Sequence, residues 1–147
     1  MPEKISPETR SRMMAGIRGR DTKPELMIRR HLHGQGMRFR LSARDLPGRP
    51  DIVLPRWNAV VFAHGCFWHG HQGCSFFRLP KTRPDFWATK IGRNVERDSL
   101  AIEELRAAGW RVAVIWECAL RRAPDRTLGR LVSFVRGNRR FIEIGVG

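Results

Sequence analysis

Two short β-branched runs, DIVL at 51–54 and AVVFA at 59–63, are separated only by PRWN, and this spacing constrains the fold more than any other part of the chain. Apolar runs so close together, broken by turn-forming residues, read as a hairpin. Asp51 and His64 then lie near the ends of neighbouring strands, where a carboxylate and an imidazole can converge on one phosphate. A third run, WRVAVIW at 110–116, is apolar throughout and suits a strand inside a sheet. Between these strands a helical pattern runs from Asp85 to about Ala108, with Gly92 as a candidate break. Its apolar face reads Trp87, Ile91, Val95, Ile102 and Leu105, and the same spacing puts Asp98 on that stripe. A carboxylate there needs a partner.

Upstream, Thr22, Lys23, Pro24 and Glu25 read as a capping box for a helix to about Gly34, with Leu26, Met27 and Leu32 on its buried side. Glu25 therefore has a purely structural explanation. Ser6, Pro7 and Glu8 open an earlier basic helix in which Met13, Met14 and Ile17 share one face, either to wedge into a DNA groove or to dock on the core. Alternation over 37–41 suggests a strand, and 42–50 a loop. Asp125 is a candidate cap for a last helix burying Leu128, Leu131, Val132 and Val135, followed by a basic turn and a short tail. The order predicts an α/β sandwich around a small mixed sheet, divided into an N-terminal arm at 1–20, one domain at 21–137 and a tail at 138–147.

A chain of 147 residues suffices for one domain and its core. Its 28 Lys and Arg against 14 Asp and Glu leave a charge of +14, which makes a polyanion the default partner. Because that charge is spread along the chain, nucleic acid is favoured over a membrane surface. The longest apolar runs fall far short of the roughly 20 residues that cross a bilayer. MPEKISPETR lacks the apolar core of a signal peptide, so a cytoplasmic location is expected. Three cysteines in such a compartment argue for thiols or metal ligands rather than a disulfide framework.

Three constellations carry candidate chemistry. His71 and Cys74, joined by Cys118 and the oddly placed Asp98, make a donor set suited to tetrahedral structural zinc. Free buried cysteines, with Asp98 paired to an arginine, fit the same residues. Asp51 with His64 and His69 offers a carboxylate for Mg²⁺ and an imidazole base, as a metal-dependent phosphodiesterase requires. A turn capped by Asp51 and histidines bonded within their loop would use the same types. Phe67, Trp68 and Trp87 could stack on bases; core packing competes, strongly for Trp87 and less so for the adjacent pair, whose side chains diverge if extended.

Over about residues 6–122 the chain resembles the very-short-patch mismatch repair endonucleases (Vsr). The resemblance rests on RDTKPE at 20–25, LPGRPDIV at 46–53, VFAHGCFWH at 61–69, FWATKIGRNVERD at 86–98 and WRVAVIWECAL at 110–120. It implies a restriction-endonuclease-like domain in which Asp51 and the backbone carbonyl of Ala63 hold Mg²⁺, His69 is the general base, and Glu25 and His64 support them. It also implies a structural Zn²⁺ on His71, Cys74, Asp98 and Cys118. Phe67, Trp68 and Trp87 would enter the duplex, with Met14 wedging from the opposite groove and Lys90, Asn94 and Arg121 completing the DNA-binding set. Some relatives carry Thr where this chain has Ala63, a loss that a backbone contact tolerates.

Members of that family nick one strand 5′ to the thymine of a T·G mismatch in double-stranded DNA, the lesion left by deaminated 5-methylcytosine. The implied setting is a monomer in the bacterial cytosol, associated with the nucleoid, with a cytosine-5 methyltransferase system and other repair proteins as candidate partners. Two other readings are a restriction-type nuclease of the same fold that cuts matched DNA, and a non-catalytic zinc-bearing DNA-binding module.

Overall fold

The computed structural model describes residues 22–41 and 43–145. The basic arm and its Met14 lie outside them. Helix α1, Lys23–Gly34, starts where Thr22 Oγ1 accepts the Glu25 N–H at 3.4 Å and Pro24 occupies the first turn. Its buried side is Glu25, Ile28 and Leu32; Leu26 and Met27, expected there, are only partly covered. The alternating stretch that follows contributes just two exposed residues to the sheet as β1, Arg40–Leu41. Met37 is buried, but its N–H is taken by the Leu32 carbonyl at 3.0 Å, so the helix exit uses a bond a longer strand would need.

The predicted hairpin forms. Strand β2, Ile52–Leu54, meets β3, Ala59–His64, in antiparallel register, with a single 3-10 turn at Pro55–Trp57 and Asn58 in the left-handed region at φ 54° between them. Strand β4, Arg111–Trp116, runs parallel to β3. A fifth strand, β5, Phe141–Ile144, runs parallel to β4 inside the stretch expected as a tail, and completes a mixed sheet ordered β1-β2-β3-β4-β5. The expected α/β layering is therefore present, with one more strand than the sequence suggested.

Helix α2, Pro84–Ala107, joins β3 to β4 without a break at Gly92. Two helices join β4 to β5: a short α3, Glu117–Arg122, unanticipated from the sequence, and α4, Pro124–Arg136. Asp125 lies in the first turn of α4 and does not cap it; Ala123 holds the cap position. On one face of the sheet, Ile52, Leu54, Val61 and Ile115 pack with Ile28 and Leu32 of α1 and with Leu131 and Val135 of α4. On the other, Val60, Phe62, Val112 and Val114 pack with Leu105 of α2 and with all three cysteines. Each fully buried aliphatic side chain is worth about 1.5–3 kcal/mol, and a one-residue slip would turn the set outward.

Arg111 locks this arrangement from below. Its guanidinium donates to the carbonyls of Trp57 at 3.1 Å and Val135 at 3.2 Å and also to that of Phe134, while Nε donates to Arg139 at 2.9 Å. One side chain thus satisfies the open carbonyls at the end of α4 and ties them to the hairpin turn. At the opposite end, the carboxyl ends of β3 and β4 and the start of β2 come together. Ligands of open α/β sheets bind at that end.

Candidate active site

Asp51 precedes β2, and its Oδ2 accepts the Ala63 N–H at 2.7 Å across the hairpin. Beside it stands Glu25, only 2 % exposed. Its Oε2 takes a 3.0 Å ion pair from Arg29 one turn on. Burial, then the neighbouring Glu25 charge, push the Asp51 carboxyl up to about 8, against the pull of the Ala63 N–H and Arg29. Two recessed carboxylates that repel one another are a ready cation site.

His64 ends β3 and is buried, as is its Nδ1, which has no hydrogen-bond partner among the described residues. Burial holds this imidazole well below its ordinary pKa, and His69 and His71 lower it further. His69 stacks on it with centroids 3.9 Å apart and planes within 3°. The HGCFWHG loop folds back to allow this: His69 N–H bonds the Gly65 carbonyl, and Gly70 takes a positive φ of 59°. A Cβ on Gly70 would sit 2.7 Å from Ile91, so only glycine lets the loop press this close to α2.

The position of Asp98 corrects the ligand set expected from the sequence. It does lie on the inner stripe of α2 and does have a partner, but that partner is His69, whose Nδ1 stands 2.6 Å from Asp98 Oδ2. Its place among the thiols is taken by Cys66. The donor atoms of Cys66, His71, Cys74 and Cys118 lie within 4.8 Å of one another, and His71 Nδ1 is 3.6 Å from Cys66 Sγ and 3.5 Å from Cys118 Sγ. A tetrahedral zinc with bonds of about 2.3 Å to sulfur and 2.0–2.1 Å to nitrogen has S···N edges of about 3.6 Å, so the donor set fits that ion. Burial pushes the Cys66 thiol up, opposed by the Cys118 N–H and assisted by the Cys118 thiol; for Cys74 burial is outweighed by the Phe76 N–H, the neighbouring thiols and Arg122, which leave it lowered. The odd cysteine count was the sequence signal for Cys66, five residues before His71.

Phe67 and Trp68 do not diverge as an extended segment would. In the turn their rings meet edge to face at 5.0 Å, and both touch Trp87 of α2, at 5.6 and 5.8 Å. All three are partly exposed, and Phe86 beside them is open. Asn94 is held by the Trp68 carbonyl at 2.9 Å and by Arg97, on the helix that carries Lys90 one turn earlier. Lys90, Arg93 and Arg97 line a cavity of about 540 Å³ along α2. Arg121 lies elsewhere, on α3, over the Phe76 ring at 4.5 Å and 3.7 Å from Glu117, whose Oε1 accepts the Cys66 N–H. No helix of the described residues is long and apolar enough to cross a membrane.

The chain has close relatives. The pattern of the family described as DNA mismatch endonuclease Vsr matches residues 3–75. DNA mismatch endonuclease Vsr of Escherichia coli (strain K12) is 51% identical over 113 residues, covering 77% of this chain and 72% of that protein. Type II nicking enzyme V.XorIIP of Xanthomonas oryzae pv. oryzae is 51% identical over 120 residues, covering 82% and 88%. Type II nicking enzyme V.NmeAIP of Neisseria meningitidis is 43% identical over 138 residues, covering 92% and 98%. With an acid pair, a histidine pair and a buried donor cluster at one end of its sheet, this chain belongs to the Vsr family and is a DNA endonuclease.

Proposed function

We propose that the chain is a Mg²⁺-dependent mismatch endonuclease that nicks one strand of duplex DNA 5′ to the thymine of a T·G pair. The observation that carries the chemistry is the His69–Asp98 contact, with the recessed Asp51 bonded to Ala63, the residue before the His64 on which His69 stacks. With Nδ1 turned to the Asp98 carboxylate, Nε2 is the nitrogen left to accept a proton from an attacking water, and the acid stabilises the imidazolium that results. His64, neutral and stacked on His69, keeps that ring from turning.

Asp51 and Glu25 would hold Mg²⁺. An antiparallel ladder directs a residue's N–H and C=O to the same neighbour, so the Ala63 carbonyl faces the side where Asp51 takes its N–H, and the residue opposite, Pro50, has no N–H to give it. Bound there, the ion supplies charge compensation at the scissile phosphate. The Cys66, His71, Cys74 and Cys118 cluster would carry a structural Zn²⁺, tying the loop to α3. The partly exposed ring cluster of Phe67, Trp68 and Trp87 suits insertion at a weakly stacked pair, which is cheaper to open than a matched one. Lys90 and Asn94 lie close enough on α2 to read or grip the same duplex, and Arg121 would contact it from α3.

The test is strand-specific nicking of a labelled T·G duplex and its matched control in Mg²⁺, with wild type and Asp51→Ala. The expected outcome is a nick beside the thymine by wild type alone, with Asp51→Ala still binding. Equal cutting of the matched duplex would instead assign a restriction-type activity.

A further inference from the structure

Trp116 ends β4, 7 % exposed, and three imidazoles surround its indole. His71 lies flat against it, with centroids 4.0 Å and planes 7° apart. His64, its register partner on β3, meets it edge-on at 5.1 Å and 73°, with His69 behind at 6.5 Å. The indole Nε1 donates to Glu143 Oε2 on β5 at 2.7 Å. Past that strand, a Cβ on Gly145 would stand 2.9 Å from His71 and 3.0 Å from Trp116, so the backbone itself closes the far side.

The His64 ring needs such a wall. No hydrogen bond among the described residues reaches its Nδ1, and the outer torsion of an imidazole is broad and two-fold, so packing must set it. His69 covers one face, Phe62 leans on it at 5.6 Å, and Trp116 meets it edge-on as a third ring. His69 is in turn fixed by Asp98 on one side and by the His64 face on the other. A tilt of the indole therefore reaches the ring that moves the proton, through one intermediate.

We propose that Trp116, braced by Glu143, is a positioning residue that holds the His64–His69 stack and joins it to the Cys/His cluster, so that the terminal strand takes part in setting the catalytic geometry. This rests on the reading of His69 as the base. Glu143 is exposed, so its replacement leaves the core intact.

The experiment compares Glu143→Ala and Glu143→Gln with wild type in three measurements: kcat and KM for nicking, zinc content, and the imidazole Cε1–H resonances of the zinc-loaded protein. Glutamine keeps an acceptor for the indole and alanine does not. The expected result for Glu143→Ala is a kcat lowered by about tenfold, since small misplacements of reacting groups cost that much or more. KM and zinc content stay unchanged, His64 and His69 resonances shift, and Glu143→Gln restores all of it. Wild-type kinetics and spectrum in Glu143→Ala would overturn the proposal, and so would equal damage by both variants or zinc loss that tracks the lost rate. If wild type nicked no T·G duplex, the proposed function would fall while the resonance shifts still decided whether Glu143 orders the histidines.

Discussion

Three thiols and an imidazole crowded into one small volume place their demand on single residues. Cys66, with its thiol pushed up by burial, gives a thiolate only to a cation that offsets the cost, whereas Asp98 is already committed to His69. Their substitutions should therefore separate two losses that the sequence had merged. Cys66→Ser should strip zinc from the purified protein and destabilise it; Asp98→Asn should keep zinc and duplex binding while nicking falls by at least about tenfold, as when the orienting acid of a catalytic histidine is neutralised. Metal analysis beside single-turnover nicking reads both. Zinc lost from Asp98→Asn but kept in Cys66→Ser would restore the ligand set expected from the sequence.

At the scale of elements, the site depends on a loop pressed against a helix. Residues 65–83 have no helix or strand of their own, and they are ordered by their contacts with α2, α3 and β4. Gly70 marks the tightest approach, at a positive φ with Ile91 and Val95 where a side chain would be. Gly70→Ala should cost about 2–4 kcal/mol from strain and overpacking together. Because the loop carries His69 and the aromatic pair, nicking should fall more than the shift in urea midpoint explains. A variant with wild-type midpoint and rate would show that the loop yields without consequence. The hairpin and α2 were legible in the sequence because apolar period and turn residues agree there. Helix α3 and β5 were not: Glu117–Arg122 is six residues long, too short for a period to register, and Phe141–Ile144 buries alternate residues only as an edge strand in contact with β4.

Over the whole molecule, the recessed Asp51 carboxyl links stability to pH. The folded-state pKa of Asp51, about 8, exceeds the 3.8 of the unfolded chain, so between those values the folded chain keeps a proton the unfolded chain has released. Its contribution is fully present below about pH 4 and is lost as pH rises toward 8, by up to about 1.4 kcal/mol per pH unit. Without Mg²⁺, the urea midpoint of the zinc-loaded protein should fall more steeply from about pH 5.5 to 8 than that of Asp51→Asn. Parallel curves would remove Asp51 as the source. The sequence set Asp51, His64 and His69 within one short stretch, since their motifs are local, but it expected Asp98 among the thiols, because Asp98 and His69 are 29 residues apart and meet only through the packing of α2 on the loop.

The placement of β5 also bears on the order in which a cell makes this enzyme. It is synthesised after every other described element, yet it covers one edge of β4 and reaches, through Glu143, the indole beside the histidines. Domains fold as units while the chain emerges from the ribosome. A nascent chain halted before Phe141 would hold the acids, the histidines and the thiols without the strand that aligns them, so the capacity to cut DNA would wait on β5, and products interrupted before it would be poor nucleases in a cell full of chromosome.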